Sequence, residues 1–261
     1  MAYFTRGDVR LAYDDIRPPA AEAGVVLLVH GFATNRDENW RRLGWMTAFE
    51  RKGWRTVALD LRGHGESDKP HEAALYDRDA MAGDVIALMD HLGLRRVDLM
   101  GYSMGAHLAL AAALARPDRV ANLVLGGIGK RASQQSSPAP QAKMTMSEAM
   151  RAESVSAITD ATLRGFRQFA DNQGEDRLAL AACSEGAGRP IGLADLGRLA
   201  MPALVVAGAL DEIAGDPHAV ADAIPGAKCV VIPGCDHFSA IPHALYKAAV
   251  FDFLEGWLDE M

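Results

Sequence analysis

Residues 97–105 read Val97-Asp98-Leu99-Met100-Gly101-Tyr102-Ser103-Met104-Gly105. The stretch from Val97 to Gly101 is short and mostly apolar, as expected of a strand buried on both faces of a parallel sheet. Beyond it, Ala106 to Ala115 is rich in alanine and leucine and runs into Arg116-Pro117, a helix with a stop signal. Only a tight turn fits between the two. Gly101 and Gly105 flank Ser103, and such a turn has room for little or no side chain at those places. A serine held there is thrust clear of its neighbours. The helix starting near Met104 offers backbone N–H groups and the positive end of its dipole to an oxyanion forming beside it. A plain Gly-Ser turn shares the short pattern, but its place between a strand and a helix points to a nucleophile.

The same alternation extends in both directions. Strands are predicted at Val25–Val29, Arg55–Leu59, Val120–Leu125, Ala203–Ala207 and Lys228–Ile232. Met81, Val85, Leu88, Met89 and Leu92 recur at helical spacing before Gly93, and Leu245, Ala249, Phe253 and Trp257 suggest a last helix within Pro242 to Leu258. Strand–helix alternation of this kind predicts an α/β fold, a mostly parallel central sheet with helices on both faces. Residues 133–192 interrupt it. Ser133 to Gln141 is polar, holds Pro138 and Pro140, and reads as a loop able to act as a hinge. Short helices are expected at Met144–Met150, Ala161–Asp171 and Asp176–Cys183. The expected organisation is therefore a core formed by 1–132 and 193–261, with 133–192 as a small helical lid over the strand ends.

Composition bounds the partners. The chain has 261 residues, 49% hydrophobic and 23% charged, with a formal net charge of −7; that is an ordinary globular balance, large enough for one α/β domain. Without a basic stripe, nucleic acid is not an expected partner. The first residues mix charge with apolar groups and carry no signal-peptide pattern, and no apolar run approaches the ~20 residues of a membrane span. Three cysteines, Cys183, Cys229 and Cys235, fit reduced thiols in a cytoplasm. They lack zinc-ligand spacing, so neither metal nor other cofactor is expected. No oligomeric state is specified by the pattern.

A serine hydroxyl needs a base, and the base an orienting acid. His237, one of eight histidines, follows the last predicted strand and precedes the last helix, within Pro233-Gly234-Cys235-Asp236-His237-Phe238. Loops at the carboxyl ends of parallel strands are where active groups gather. Asp211 follows the strand Ala203–Ala207 in Gly208-Ala209-Leu210-Asp211. Taken alone, an aspartate there reads first as a turn former, but the chain order Ser103, Asp211, His237 favours the catalytic reading. Glu212 and Asp216 are nearby alternatives, and Asp236 abuts His237. The first predicted strand ends at His30-Gly31-Phe32-Ala33, placing the Phe32 N–H where a second oxyanion donor belongs beside that of Met104. His30 is expected to brace this loop. Asp60-Leu61-Arg62-Gly63-His64-Gly65-Glu66-Ser67 reads as a tight structural loop whose backbone Asp60 and Arg62 can hydrogen-bond. Phe166 and Phe169, with Met144 and Met146, either line a substrate pocket or form the lid's own core.

The set His30-Gly31-Phe32, Asp60-Leu61-Arg62-Gly63-His64-Gly65-Glu66-Ser67, Gly101-Tyr102-Ser103-Met104-Gly105, Gly208-Ala209-Leu210-Asp211 and Asp236-His237-Phe238 resembles the α/β-hydrolase family from first strand to last helix. It is most similar to small esterase and enol-lactonase-like members with a short helical cap. The resemblance implies a Ser103–His237–Asp211 triad and an oxyanion hole at Phe32 and Met104. It also implies a small ester or lactone as substrate; the lid, with Phe166 and Phe169, lies outside the resemblance. Haloalkane dehalogenases and epoxide hydrolases of this family carry aspartate where Ser103 stands. C–C bond hydrolases, perhydrolases and acyltransferases share the fold, as do proteins that only bind a ligand, so fold alone does not select the reaction.

Overall fold

The computed structural model describes every residue except 20–21, 134–143, 189 and 260–261. Its strands are β1 (Ala2–Arg6), β2 (Val9–Ile16), β3 (Gly24–Val29), β4 (Trp54–Leu59), β5 (Val97–Tyr102), β6 (Val120–Gly126), β7 (Ala203–Gly208) and β8 (Lys228–Ile232). Its α-helices are α1 (Trp45–Arg51), α2 (Arg78–His91), α3 (Met104–Ala115), α4 (Met146–Arg151), α5 (Ala161–Gln173), α6 (Arg177–Gly186), α7 (Leu193–Leu196), α8 (His218–Ala221) and α9 (Ala244–Leu254). The strands form one sheet in the order β1-β2-β4-β3-β5-β6-β7-β8. β3 to β8 run parallel and occupy the predicted segments, while β1 and β2 are antiparallel additions at the edge.

The antiparallel hairpin is not among the predicted elements. Arg6 pairs with Val9 across Gly7-Asp8, with Gly7 at φ 59, a two-residue turn that needs the left-handed region. Charges obscure the strand pattern here. They are accommodated because Asp14 pairs with Arg36 and Arg41, and Asp15 with Arg55.

Side-chain alternation along the parallel strands builds two cores. Leu27 and Val29 of β3, with Leu99 of β5 and Val205 of β7, pack under α2, α3 and α8. Val26 and Leu28, with Met100 and Val206, pack against Trp45 and Phe49 of α1 and Tyr246 and Val250 of α9. The buried face of α9 differs from the expected one. Leu245 is 52% and Trp257 57% exposed; Ala249 is buried as expected, and Tyr246, Val250 and Phe251 turn inward with it. The helix ends at Leu254, and Trp257 belongs to a separate short turn after Gly256 at φ 83, so one helical period cannot span both residues.

α4, α5, α6 and α7 lie between β6 and β7 in the chain, and no strand falls among the described residues of that insertion. Thr145 and Glu148 form a capping box at α4, and Asp160 and Asp176 cap α5 and α6. Residues 134–141 of the expected hinge loop lie outside the described residues. Among the described residues, no helix is long and apolar enough to cross a membrane.

Candidate active site

Ser103 sits at φ 53, ψ −118, one of two non-glycine residues with positive φ among the described residues. The strain is held by close packing on both sides of the turn. A Cβ on Gly101 would lie 2.2 Å from the Gly105 carbonyl oxygen; one on Gly105 would lie 2.0 Å from that of Val29 and 2.5 Å from that of His30. The two glycines therefore let the start of α3 lie directly against β5 and β3. The Ser103 N–H donates to the Gly126 carbonyl at 2.8 Å, tying the elbow to the end of β6.

The other side chains come from the loops after β7 and β8. Gly208 ends β7 where a Cβ would meet the Cys235 carbonyl oxygen at 2.2 Å, and the Leu210 N–H donates to that same oxygen at 2.8 Å. The two loops are thereby zipped together, which sets Asp211 beside His237. Both are buried. Asp211 Oδ1 accepts from the Ile213 and Ala214 N–H groups at 3.1 and 2.8 Å, and its Oδ2 lies 2.8 Å from His237 Nδ1. His237 Nε2 lies 2.9 Å from Ser103 Oγ. A carboxylate only accepts, so Nδ1 carries the ring proton and Nε2 is left to accept from the serine hydroxyl. The alternatives point elsewhere. Glu212 is exposed, Asp216 accepts from the His218 N–H, and Asp236 accepts from the N–H groups of Phe238 and Ser239.

The loop after β3 passes over Ser103: a Cβ on Gly31 would be 3.5 Å from Ser103 Cβ. Asn39 Oδ1 accepts the Gly31 N–H at 3.1 Å. His30 Nδ1–H donates to the Gly31 carbonyl, and its Nε2 accepts from the Leu61 N–H. Burial pushes the His30 imidazole down to about 4, so it braces the loop uncharged at neutral pH. Neither the Phe32 nor the Met104 backbone N–H donates to another described residue.

The Asp60–Ser67 segment is a scaffold. Asp60 is fully buried, accepts from the Arg36 and Glu66 N–H groups and is paired with the Arg36 guanidinium. Arg62 is forked onto Asp84 through two contacts of 2.7 Å. His64 is buried, its Nδ1 on the Arg62 carbonyl, and burial lowers it to about 3.

Ser103 and His237 open into a cavity of about 190 Å³. Phe32, Leu43, Phe166, Phe169, Phe238 and Ile241 form its apolar wall, and Thr34, Glu38, Asn39 and Gln173 a polar strip. Phe166 and Phe169 of α5 thus line the same cavity as Ser103. Phe166 also packs in the insertion's own cluster with Met150, Ala170 and Leu180. Met144 and Met146 do not line the cavity; Met146 packs against that cluster.

Several residues of this site were not singled out from sequence. Tyr102 is buried, and its hydroxyl donates to the His237 carbonyl, fixing the loop from beneath. Its place just before Ser103, on the opposite side of the chain, was the available signal. Phe238, adjacent to His237, and the strip from Thr34 to Asn39 carry no such signal.

Comparison with known proteins follows the same lines. The alpha/beta hydrolase fold family matches residues 24–180, more than half of the chain. The chain is 33% identical over 225 residues to the dihydrolipoyllysine-residue acetyltransferase component of the acetoin cleaving system of Pseudomonas putida, covering 81% of this chain and 58% of that protein. It is 43% identical over 94 residues to an epoxide hydrolase of Caballeronia sordidicola, covering 36% of this chain and 28% of that one. The chain thus spans less than two thirds of these curated relatives. The solved enol-lactonase from Burkholderia xenovorans LB400 superposes with a TM-score of 0.77 at 25% identity, over 97% of this chain and 100% of that one.

Proposed function

Since the chain belongs to the alpha/beta hydrolase family, we propose that it is a serine hydrolase that cleaves a small carboxylic ester or lactone through an acyl-enzyme. The observation that carries this is the unbroken hydrogen-bonded chain from Ser103 through His237 to Asp211 at the floor of a largely apolar cavity. In this reading Ser103 Oγ attacks the carbonyl carbon as His237 Nε2 takes its proton. Asp211 holds the ring in the required tautomer and stabilises the imidazolium. The Phe32 and Met104 N–H groups receive the oxyanion, and the α3 dipole adds to them. The imidazolium protonates the leaving alkoxide. Water, deprotonated by the same base, then releases the acid.

Epoxide opening is disfavoured by the same chemistry. An aspartate nucleophile gives an ester that water can hydrolyse, whereas Ser103 attacking an epoxide carbon would leave an ether. The enol-lactonase neighbour's name falls within the proposed substrate class. The insertion carrying α4 to α6 acts as a lid that shapes the pocket through Phe166 and Phe169. The volume compares with the ~150 Å³ engineered cavity that takes up benzene, so a phenyl-sized or short acyl group is the expected occupant.

Labelling with a fluorophosphonate and mapping the modified peptide tests the nucleophile. Wild type is expected to be modified at Ser103 and to hydrolyse short acyl esters. Ser103→Ala should lose both while keeping its melting temperature. Wild-type turnover by Ser103→Ala would refute the proposal, and failure of the wild type to cleave any ester would favour a ligand-binding role.

A further inference from the structure

The cavity beside Ser103 has a charge pattern that its apolar character does not require. Glu38 lines it, and among the described residues no lysine or arginine does. Glu38 is only 19% exposed, and two partners hold it from the side. Arg42, itself 70% exposed, reaches its Oε1 at 2.9 Å. The Gln173 amide, turned to satisfy its surroundings, donates to both carboxylate oxygens at 3.1 and 3.2 Å. The carboxylate is thus fixed between the β3–α1 segment and the end of α5.

Much of the remaining wall is aromatic. Phe32 and Phe166 meet edge to face with centroids 6.1 Å apart, and Phe166 and Phe238 do so at 5.8 Å; Phe169 and Phe238 are tilted at 5.9 Å. Four phenylalanine rings and one carboxylate around a small cavity make a cation-binding arrangement. Ring faces attract an ammonium through their quadrupoles, most strongly where water is excluded, and the carboxylate adds a direct charge. A substrate carboxylate would meet the opposite: no lysine or arginine in the lining to pair with, since Arg42 reaches Glu38 from outside it, and Glu38 to repel it.

We propose that Glu38 and the Phe32–Phe166–Phe169–Phe238 wall make this site selective for esters that carry an alkylammonium group, and that Glu38 rejects esters that carry a carboxylate. The proposal rests on the ester-hydrolase reading of Ser103 and adds the charge of its substrate. No new covalent step is involved; the ammonium is recognised, not transformed.

Three ethyl esters of matched length test it: that of a trimethylammonio-butanoic acid, its uncharged tert-butyl isostere, and monoethyl glutarate. Wild type is expected to rank them cation, neutral, anion in kcat/KM. Glu38→Gln should lower the cation-to-neutral ratio about tenfold and raise the anion-to-neutral ratio by a similar factor. Unchanged ratios in Glu38→Gln, or an anion preferred by wild type, would overturn the proposal. A second readout needs no turnover and no folded variant. Phenyltrimethylammonium should raise the melting temperature of the wild-type protein and benzoate should not; equal or reversed shifts would refute the charge selection. If no ester is cleaved yet this ranking holds, the serine-hydrolase reading fails and the cation site stands.

Discussion

Gly105→Ala tests the elbow most directly, because the clash is with backbone on a central strand. The new Cβ would lie 2.0 Å from the Val29 oxygen and 2.5 Å from that of His30, where ordinary contact begins near 3.4 Å. The start of α3 would have to retreat by more than an ångström, since β3 is hydrogen-bonded on both sides, to β4 and β5. Ser103 would move with it, away from a His237 nitrogen now 2.9 Å distant. Overpacking of this kind costs about 1–3 kcal/mol, or a drop of roughly 4–8 °C in melting temperature at the middle of that range for a chain of this size. Misplacement by an ångström costs about 10²-fold in turnover. Circular dichroism melts and kcat/KM on a short acyl ester measure the two effects. Gly165→Ala is the matched control. It lies in α5 with nothing within 4 Å of the added Cβ, so it should gain about 0.5–1 kcal/mol. If Gly105→Ala kept the wild-type melt and turnover, the claim that these glycines set the position of Ser103 would be wrong.

Three further outcomes follow from the same geometry. Asp211→Asn should lower turnover by about 10⁴-fold by losing control of the tautomer, whereas Glu212→Gln, at an exposed site, should stay near wild type; the reverse ranking in kcat would show the wrong acid. Phe166→Ala and Phe169→Ala should shift the ratio of short- to long-acyl kcat/KM; equal losses at all lengths with a lowered melt would mean the rings only pack the insertion. Stability should fall as pH is lowered from about 6.5 toward 4: burial holds His30 and His64 down to about 4 and about 3, so the unfolded chain binds protons there that the folded chain does not. A melting temperature unchanged between pH 7.5 and pH 5 would contradict the neutral, buried state of these two rings.

What was legible in the sequence was local. A strand buried on both faces, a turn with no room for Cβ and an alanine-rich helix are each specified within a few residues of Ser103, so the elbow and the parallel strands β3 to β8 could be read directly. Asp211 and His237 could be read only as candidates, by their places after β7 and β8. The choice of Asp211 over Glu212, Asp216 and Asp236 lay in tertiary contact: Gly208 lets the Cys235 carbonyl approach, and that approach aims one carboxylate at the imidazole. The hairpin β1–β2 was obscured because its strand charges are satisfied by Arg36, Arg41 and Arg55, distant in sequence. Glu38, Gln173 and Phe238 carry no pattern at all. They come from three separate segments, and only the folded chain brings a carboxylate, an amide and a ring to one cavity, because which side chains share an enclosed space depends on how helices cross the sheet and not on any periodicity along the chain.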